Sequence, residues 1–208
     1  NIKRNPLCGR NFEYFSEDPY LSGKLAAGYI RGLQSNGVIA TAKHFVCENQ
    51  ETGRTAVNCI VDERTLREIY LTGFEIAIKE GNAKCVMTSF GQINGSYSNE
   101  NYHLMTGVLR NDWKFDGMVV SNWGGCNDRV KGLIAGDDLE MPTTCGETNS
   151  DIVEAVKSGF IPEESLNKSC ERLLEAIMST KKALEDGKDK KIDFEAHDRL
   201  AQKCAEQS

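Results

Sequence analysis

The chain has 208 residues, with 25 Lys and Arg against 31 Asp and Glu, for a net charge of −6. That acidic balance argues against a general nucleic-acid partner, which needs a basic face to meet phosphates. With 39% apolar and 27% charged residues, the composition is that of a globular protein. No apolar run approaches the roughly 20 residues that cross a bilayer. No apolar stretch follows the charges of Asn1-Ile2-Lys3-Arg4, as a signal peptide would require. No membrane partner and a cytoplasmic location are therefore expected. The eight cysteines, at positions 8, 47, 59, 85, 126, 145, 170 and 204, include no Cys-x-x-Cys pair and no zinc-type Cys/His spacing. They read as small reduced thiols, several inside apolar runs, and no metal or cofactor is expected.

In chain order, residues 6–19 mix aromatic, cationic and acidic side chains with turn formers. Arg10 in this segment can clamp a ligand oxygen or bridge carboxylates such as Glu13 or Asp18. A helix is predicted over 19–34, with Pro19 in its first turn and Leu21, Leu25, Tyr29 and Leu33 at helical spacing. An apolar strand over 38–42 runs into Lys43-His44-Phe45. A helix over 62–80 is capped by Asp62, has an inner stripe of Leu66, Ile69, Tyr70, Phe74, Ala77 and Ile78, and ends at Gly81. Strands over 85–90 and 117–121 flank a helix over 100–110, and further helices cover 151–157 and 163–184. A charged linker over 185–192 precedes an amphipathic helix over 193–207. Short apolar strands alternating with helices imply an α/β fold, a parallel sheet with helices outside. A (β/α) barrel and an open doubly wound sheet both fit. No Gly-x-Gly-x-x-Gly opens a helix after a strand, so a dinucleotide site is not supported.

In such folds the site lies at the carboxyl ends of the strands. Lys43 and His44 sit at one of them, where an ammonium beside an imidazole can hydrogen-bond neighbouring hydroxyls; a structural histidine beside a solvated Lys has the same appearance. Met87 to Phe90 form either a pocket wall or core. In Ser121-Asn122-Trp123-Gly124-Gly125 an aromatic ring beside a polar side chain suits a sugar platform or a plain strand end.

Taken together, residues 1–19, Lys43-His44-Phe45, Val61-Asp62-Glu63-Arg64-Thr65-Leu66-Arg67-Glu68-Ile69-Tyr70, Ile93-Asn94-Gly95, Val119-Val120-Ser121-Asn122-Trp123-Gly124 and Leu139-Glu140-Met141-Pro142 resemble, in order, the family 3 glycoside hydrolases of the β-glucosidase type. The Val46-Cys47-Glu48-Asn49 that follows Lys-His-Phe separates the chain from the hexosaminidase branch, whose stretch there is Pro-Gly-His-Gly. The resemblance implies a partial (β/α)8 TIM-type barrel with parallel strands and outer helices: residues 1–184 as its later part, and 185–208 as a linker and helix leading to an absent α/β sandwich domain. It implies retaining hydrolysis of terminal β-D-glucosides or short β-linked oligosaccharides. Arg10, Lys43 and His44 would bind the sugar hydroxyls, and Met87 and Trp123 would line the pocket. A carboxylate nucleophile would stand at position 122, and an acid/base would come from a second domain or complementary chain.

The chain departs from that pattern in three ways. The nucleophile position holds Asn122, an uncharged amide that cannot efficiently form a glycosyl ester. Phe90 stands where the family commonly has a Tyr whose hydroxyl reaches the nucleophile. The family's early sugar-binding Asp lies upstream of Asn1. The resemblance therefore leaves a catalytically silent carbohydrate-binding relative, or a fragment completed by another chain, as the other expectations.

Overall fold

Helix α1 (Pro19–Gln34) begins where Asp18 turns its carboxylate back onto the N–H groups of Tyr20 (2.7 Å) and Leu21 (3.0 Å), satisfying donors that the helix itself leaves unpaired. A computed structural model describes residues 1–187 and 191–207. The face of α1 that packs is not the Leu21–Leu25–Tyr29–Leu33 stripe, which is exposed, but Ser22, Gly23, Ala27 and Ile30. Small residues win because α1 lies close on a second helix: a Cβ on Gly23 would come within 2.8 Å of the Ile76 side chain.

That second helix starts at Asp62, whose carboxylate accepts from the Thr65 N–H (3.0 Å). It runs as α2 (Glu63–Thr65), a wider π-helical stretch over Leu66–Leu71, and α3 (Thr72–Lys79). The predicted inner stripe is buried except for Ile69, and Leu71 joins it. The extra residue per turn in the π stretch rotates the face, which is how Leu71 comes inward and Ile69 moves out.

The main sheet is parallel, in the order β1 (Thr41–Phe45), β3 (Cys85–Thr88), β6 (Met118–Val120), with Leu139 bridging beyond Val120. Thr41, Cys85 and Met118 stand in register, as do Ala42, Val86 and Val119. Alternation then puts Ala42, Val86 and Val119 on the helix side, within the core that holds Phe74, Leu104, Val108 and Trp113, and Met87 on the opposite face. β1 begins three residues later than predicted and includes Lys43 and His44. Between Ala42–Val86 and Phe45–Thr88 two residues of β1 oppose the single Met87 of β3, a bulge.

Three two-residue strands, absent from the sequence reading, form a second small sheet: β2 (Asn58–Cys59), β4 (Gln92–Ile93) and β5 (Ser96–Tyr97). Asn94 locks it, accepting from the Val61 N–H (2.9 Å) and donating to the Val61 carbonyl (2.8 Å). The helix expected over 100–110 is a π helix over His103–Asp112 after a short 3-10 turn. A helix not predicted, α4 (Arg129–Ala135), is capped by Asp128 and ends at Gly136, whose φ of 112° requires a residue without a Cβ.

α4 packs with α5 (Glu147–Lys157) and α6 (Glu163–Gly187) through Leu133, Ile152, Ala155 and Ile161. α6 contacts the body through Leu166, Ser169, Arg172 and Leu173, whereas Cys170, Leu174 and Ile177 are exposed. It continues past 184 to Gly187, and residues 188–190 of the expected linker lie outside the described residues. α7 (Phe194–Glu206) has no buried residue. No described helix is long and apolar enough to cross a membrane.

Candidate active site

The bulge in β1 decides where two polar side chains go. Phe45 turns to the helix side, edge-on to Phe74 (5.2 Å between ring centroids) and Trp113 (6.1 Å). His44 is buried against Tyr14 from the N-terminal segment, with 3.1 Å between Nδ1 and the phenol oxygen. Burial first, and then the neighbouring cations Arg10 and Lys43, lower the His44 pKa to about 3. The imidazole is therefore neutral at any working pH, and with one ring nitrogen on Tyr14 the other is left for a further partner.

Lys43 reaches Glu13 at 2.7 Å, and the Arg10 guanidinium also binds Glu13 and lies 3.8 Å from Glu51. Of the carboxylates the sequence offered to Arg10, Glu13 is taken, and Asp18 is spent on the α1 cap. Burial raises the Glu13 pKa, but Lys43 and Arg10 override it and hold the carboxyl below the ordinary range.

From Glu51 the cluster continues toward β3 and β6. Arg54 pairs with Glu51 at 2.6 Å and stacks its guanidinium 4.2 Å from the centre of the Phe90 ring. Glu48, buried, accepts the Phe90 N–H at 3.0 Å; burial raises its pKa despite that bond. Phe90 and Asn122 both lie against Gly125, where an added Cβ would stand 3.5 Å from the ring and 3.2 Å from the Asn122 Cβ. Thus Arg10, Lys43, His44, Phe90 and Asn122, separated by up to 112 positions in sequence, join one continuous run of contacts at the carboxyl ends of the strands. Glu13, Tyr14, Glu48, Glu51 and Arg54 complete it. Apart from Glu13, sequence reading missed them, because they sit in loops where no periodicity marks a partner.

Asn122 is buried, its N–H donating to Thr88 Oγ1 (3.2 Å) and its Oδ1 accepting the Trp123 N–H (2.8 Å). Its Nδ2 has no partner. Trp123 is 62% exposed, so its backbone, not its indole, fixes Asn122. Met87 is half-buried on the inner face of β3. A cavity of about 390 Å³ opens beside β1, lined by Glu13, Tyr14, Tyr29, Lys43 and Phe74. Among the predicted site residues it touches only Lys43, so it is a space beside the edge of the sheet and not the centre of this cluster. No group of three or more His, Cys, Asp or Glu among the described residues is arranged to hold a metal.

Comparison with known proteins adds the following. The family described as glycosyl hydrolase family 3, N-terminal domain, matches residues 1–176. Thermostable β-glucosidase B of Acetivibrio thermocellus is 56% identical over all of this chain and 27% of its own length. An exo-α-(1→6)-L-arabinopyranosidase of Bifidobacterium longum is 43% identical with the same coverage. Among solved structures, a β-glucosidase of Bifidobacterium adolescentis superposes with a TM-score of 0.95 at 43% identity, covering 99% of this chain and 30% of that one. β-Glucosidase 3B of Thermotoga neapolitana, in complex with α-D-glucose, gives 0.91 at 44% identity, covering 97% and 29%. The chain therefore spans a little over a quarter of the length of these relatives.

Proposed function

Since the chain belongs to family 3 of the glycoside hydrolases, we propose that the cluster at the carboxyl ends of β1, β3 and β6 is the sugar-binding part of a β-glucosidase-type active site. One observation carries the reading: Arg10, Lys43, His44, Phe90 and Asn122 meet in a single run of contacts where a parallel α/β fold places its chemistry. Lys43 and Arg10 are cations offering hydrogen-bond donors, held in place by Glu13 and Glu51. Neutral His44, oriented by Tyr14, offers one more ring nitrogen. Such groups match the vicinal hydroxyls of a pyranose. Met87 and Trp123 line the apolar faces of the sugar.

Position 122 is the seat of the nucleophile. The Trp123 N–H holds one side-chain atom there and leaves the other unpartnered. A carboxylate so held would keep one oxygen oriented and one free to attack the anomeric carbon. A carboxylic acid from a second domain or complementary chain protonates the leaving oxygen, and water then releases the sugar. The amide of Asn122 carries no charge to stabilise the oxocarbenium-like transition state, so the full-length protein with Asn122 binds a β-glucoside and turns it over very slowly.

The test compares the full-length protein and this chain, each with Asn122 and with Asn122→Asp, on aryl β-D-glucoside and aryl α-L-arabinopyranoside. Asn122→Asp in the full-length form should raise turnover by roughly 10³-fold or more, because the covalent step regains its carboxylate. The present chain should stay inactive in both forms. If the full-length Asp form binds these sugars without hydrolysing them, the hydrolase reading fails and a silent carbohydrate-binding module, which Asn122 itself favours, replaces it.

A further inference from the structure

Asn99, in the 3-10 turn Ser98–Glu100, and Asp137, just past α4, are both fully buried. Among the described residues, no hydrogen-bond partner meets either side-chain atom of the Asn99 amide or either oxygen of the Asp137 carboxyl. Buried polar groups left in that state cost stability, and in folded proteins they are nearly always matched. Both side chains face one glycine. Asp137 is drawn over Gly132 by its own N–H, which donates to the Gly132 carbonyl at 2.9 Å. The turn of Asn99 is held by Ser98, whose Oγ donates to the Phe45 carbonyl and accepts the Ser89 N–H at 3.2 Å. A Cβ built on Gly132 would have three nearest atoms outside α4: Asn99 Nδ2 at 3.4 Å, the Asn99 carbonyl oxygen at 3.6 Å and Asp137 Oδ2 at 3.6 Å. All three are polar, and all stand at ordinary contact distance from that point.

We propose that the spot above Gly132 is a built site for a single buried water, which bridges Asn99 to Asp137. A water both donates and accepts, so one molecule can serve an amide, a carbonyl and a carboxyl, and a buried water typically makes about three such bonds. A cation is the poorer occupant, because Arg129 donates to the Asp137 carbonyl at 3.0 Å and already sets a positive charge beside the spot. Glycine at 132 is then required for room and not for its backbone, since it lies inside α4 and outside the left-handed region. The water ties α4, which follows the loop of Asn122 and Trp123, to the turn that Ser98 fixes at the ends of β1 and β3. This inference does not depend on the carbohydrate reading.

Gly132→Ala separates a wet site from a dry one by the sign of its effect. In a dry site the added methyl meets its neighbours at ordinary contact distances. Ala is also the better helix former, so the melting temperature would rise by about 2–4 °C. With the water in place, the methyl displaces it and strands the polar atoms of Asn99 and Asp137. The melting temperature should then fall by at least about 2 °C. In a chain already carrying Asn99→Ala and Asp137→Ala, which has no side chains to bridge, Gly132→Ala should regain its ordinary rise. A crystal structure of the unaltered chain should show one isolated density peak within about 2.6–3.2 Å of both the Asn99 amide and an Asp137 oxygen. A rise for Gly132→Ala in the otherwise unaltered chain overturns the proposal. So does density with Asn99 and Asp137 bonded directly to each other, or a peak at the shorter oxygen distances of a cation, about 2.3–2.6 Å. The crystal readout needs no variant, so it decides the matter even if Gly132→Ala does not fold.

Discussion

Asp137 and Asp138 are neighbours with opposite fates. Asp138 is matched on both oxygens: Arg110 at 2.8 Å, Arg172 at 2.9 Å and the Val119 N–H at 2.8 Å. Asp137 is equally buried, yet neither of its carboxylate oxygens has a partner. Burial accordingly pushes its pKa up to about 8, against the partial help of Arg129. An unfolded Asp titrates near 3.9. The folded state therefore binds a proton that the unfolded state has released, and stability falls as pH rises from about 4 to about 8. Asp137→Asn, the neutral isostere, removes that slope. Its melting temperature should match the wild type near pH 4 and exceed it by a growing margin up to about pH 8, then by a constant one. Parallel melting curves across that range would show that Asp137 is charged in the fold. In the sequence, Gly136-Asp137-Asp138 looks like an exposed turn, since nothing local says that one carboxylate meets two cations from 28 and 34 positions away. Arg10, by contrast, was legible as a bridging cation because Glu13 is local to it.

At the scale of elements, Asp138 is a node. Arg110 comes from the π helix, Arg172 from α6 and Val119 from β6, and Ser169 of α6 donates to the Asp138 carbonyl at 3.2 Å. Removing the carboxylate strands two cations, one of them with its side chain only 10% exposed. Breaking a buried pair on one side costs about 3–5 kcal/mol, so Asp138→Ala should lose about that much in urea unfolding. Arg172→Met, taken from the more exposed side, should lose clearly less; equal losses would mean that α6 docks through this ion pair as strongly as the π helix does. Elements with long periodic patterns and local caps, such as α1 and the helix begun by Asp62, were readable within a residue or two. β2, β4 and β5 were not, because two residues cannot show alternation and their pairing is set by distant partners. The packing face of α1 was misleading for another reason: large apolar residues advertise a core, but close helix contact selects small ones.

Across the whole molecule, packing is uneven. α1, the helix begun by Asp62 and the π helix share one apolar core with β1, β3 and β6, α4, α5 and α6 pack around a second, smaller one, and α7 leaves Phe194 and Leu200 to solvent. A helix without buried side chains contributes little to the cooperative unit. Deleting residues 191–208 should leave the melting temperature within about 2 °C of the parent chain, and a larger drop would show that α7 packs in solution. The parallel α/β arrangement was legible from the alternation of elements, whereas the cavity beside β1 depends on which side of that strand lacks a neighbour. The bulge in β1 has one more consequence. Removing either Lys43 or His44 would let Phe45 keep its place opposite Thr88 with a regular ladder, so the scaffold tolerates the loss of a residue there. What suffers is the reach of the strand end. Robustness of the fold and fragility of the site thus part company at a single codon, and a screen that scores only folded protein would pass variants that have lost the Lys43–Glu13 or His44–Tyr14 contact.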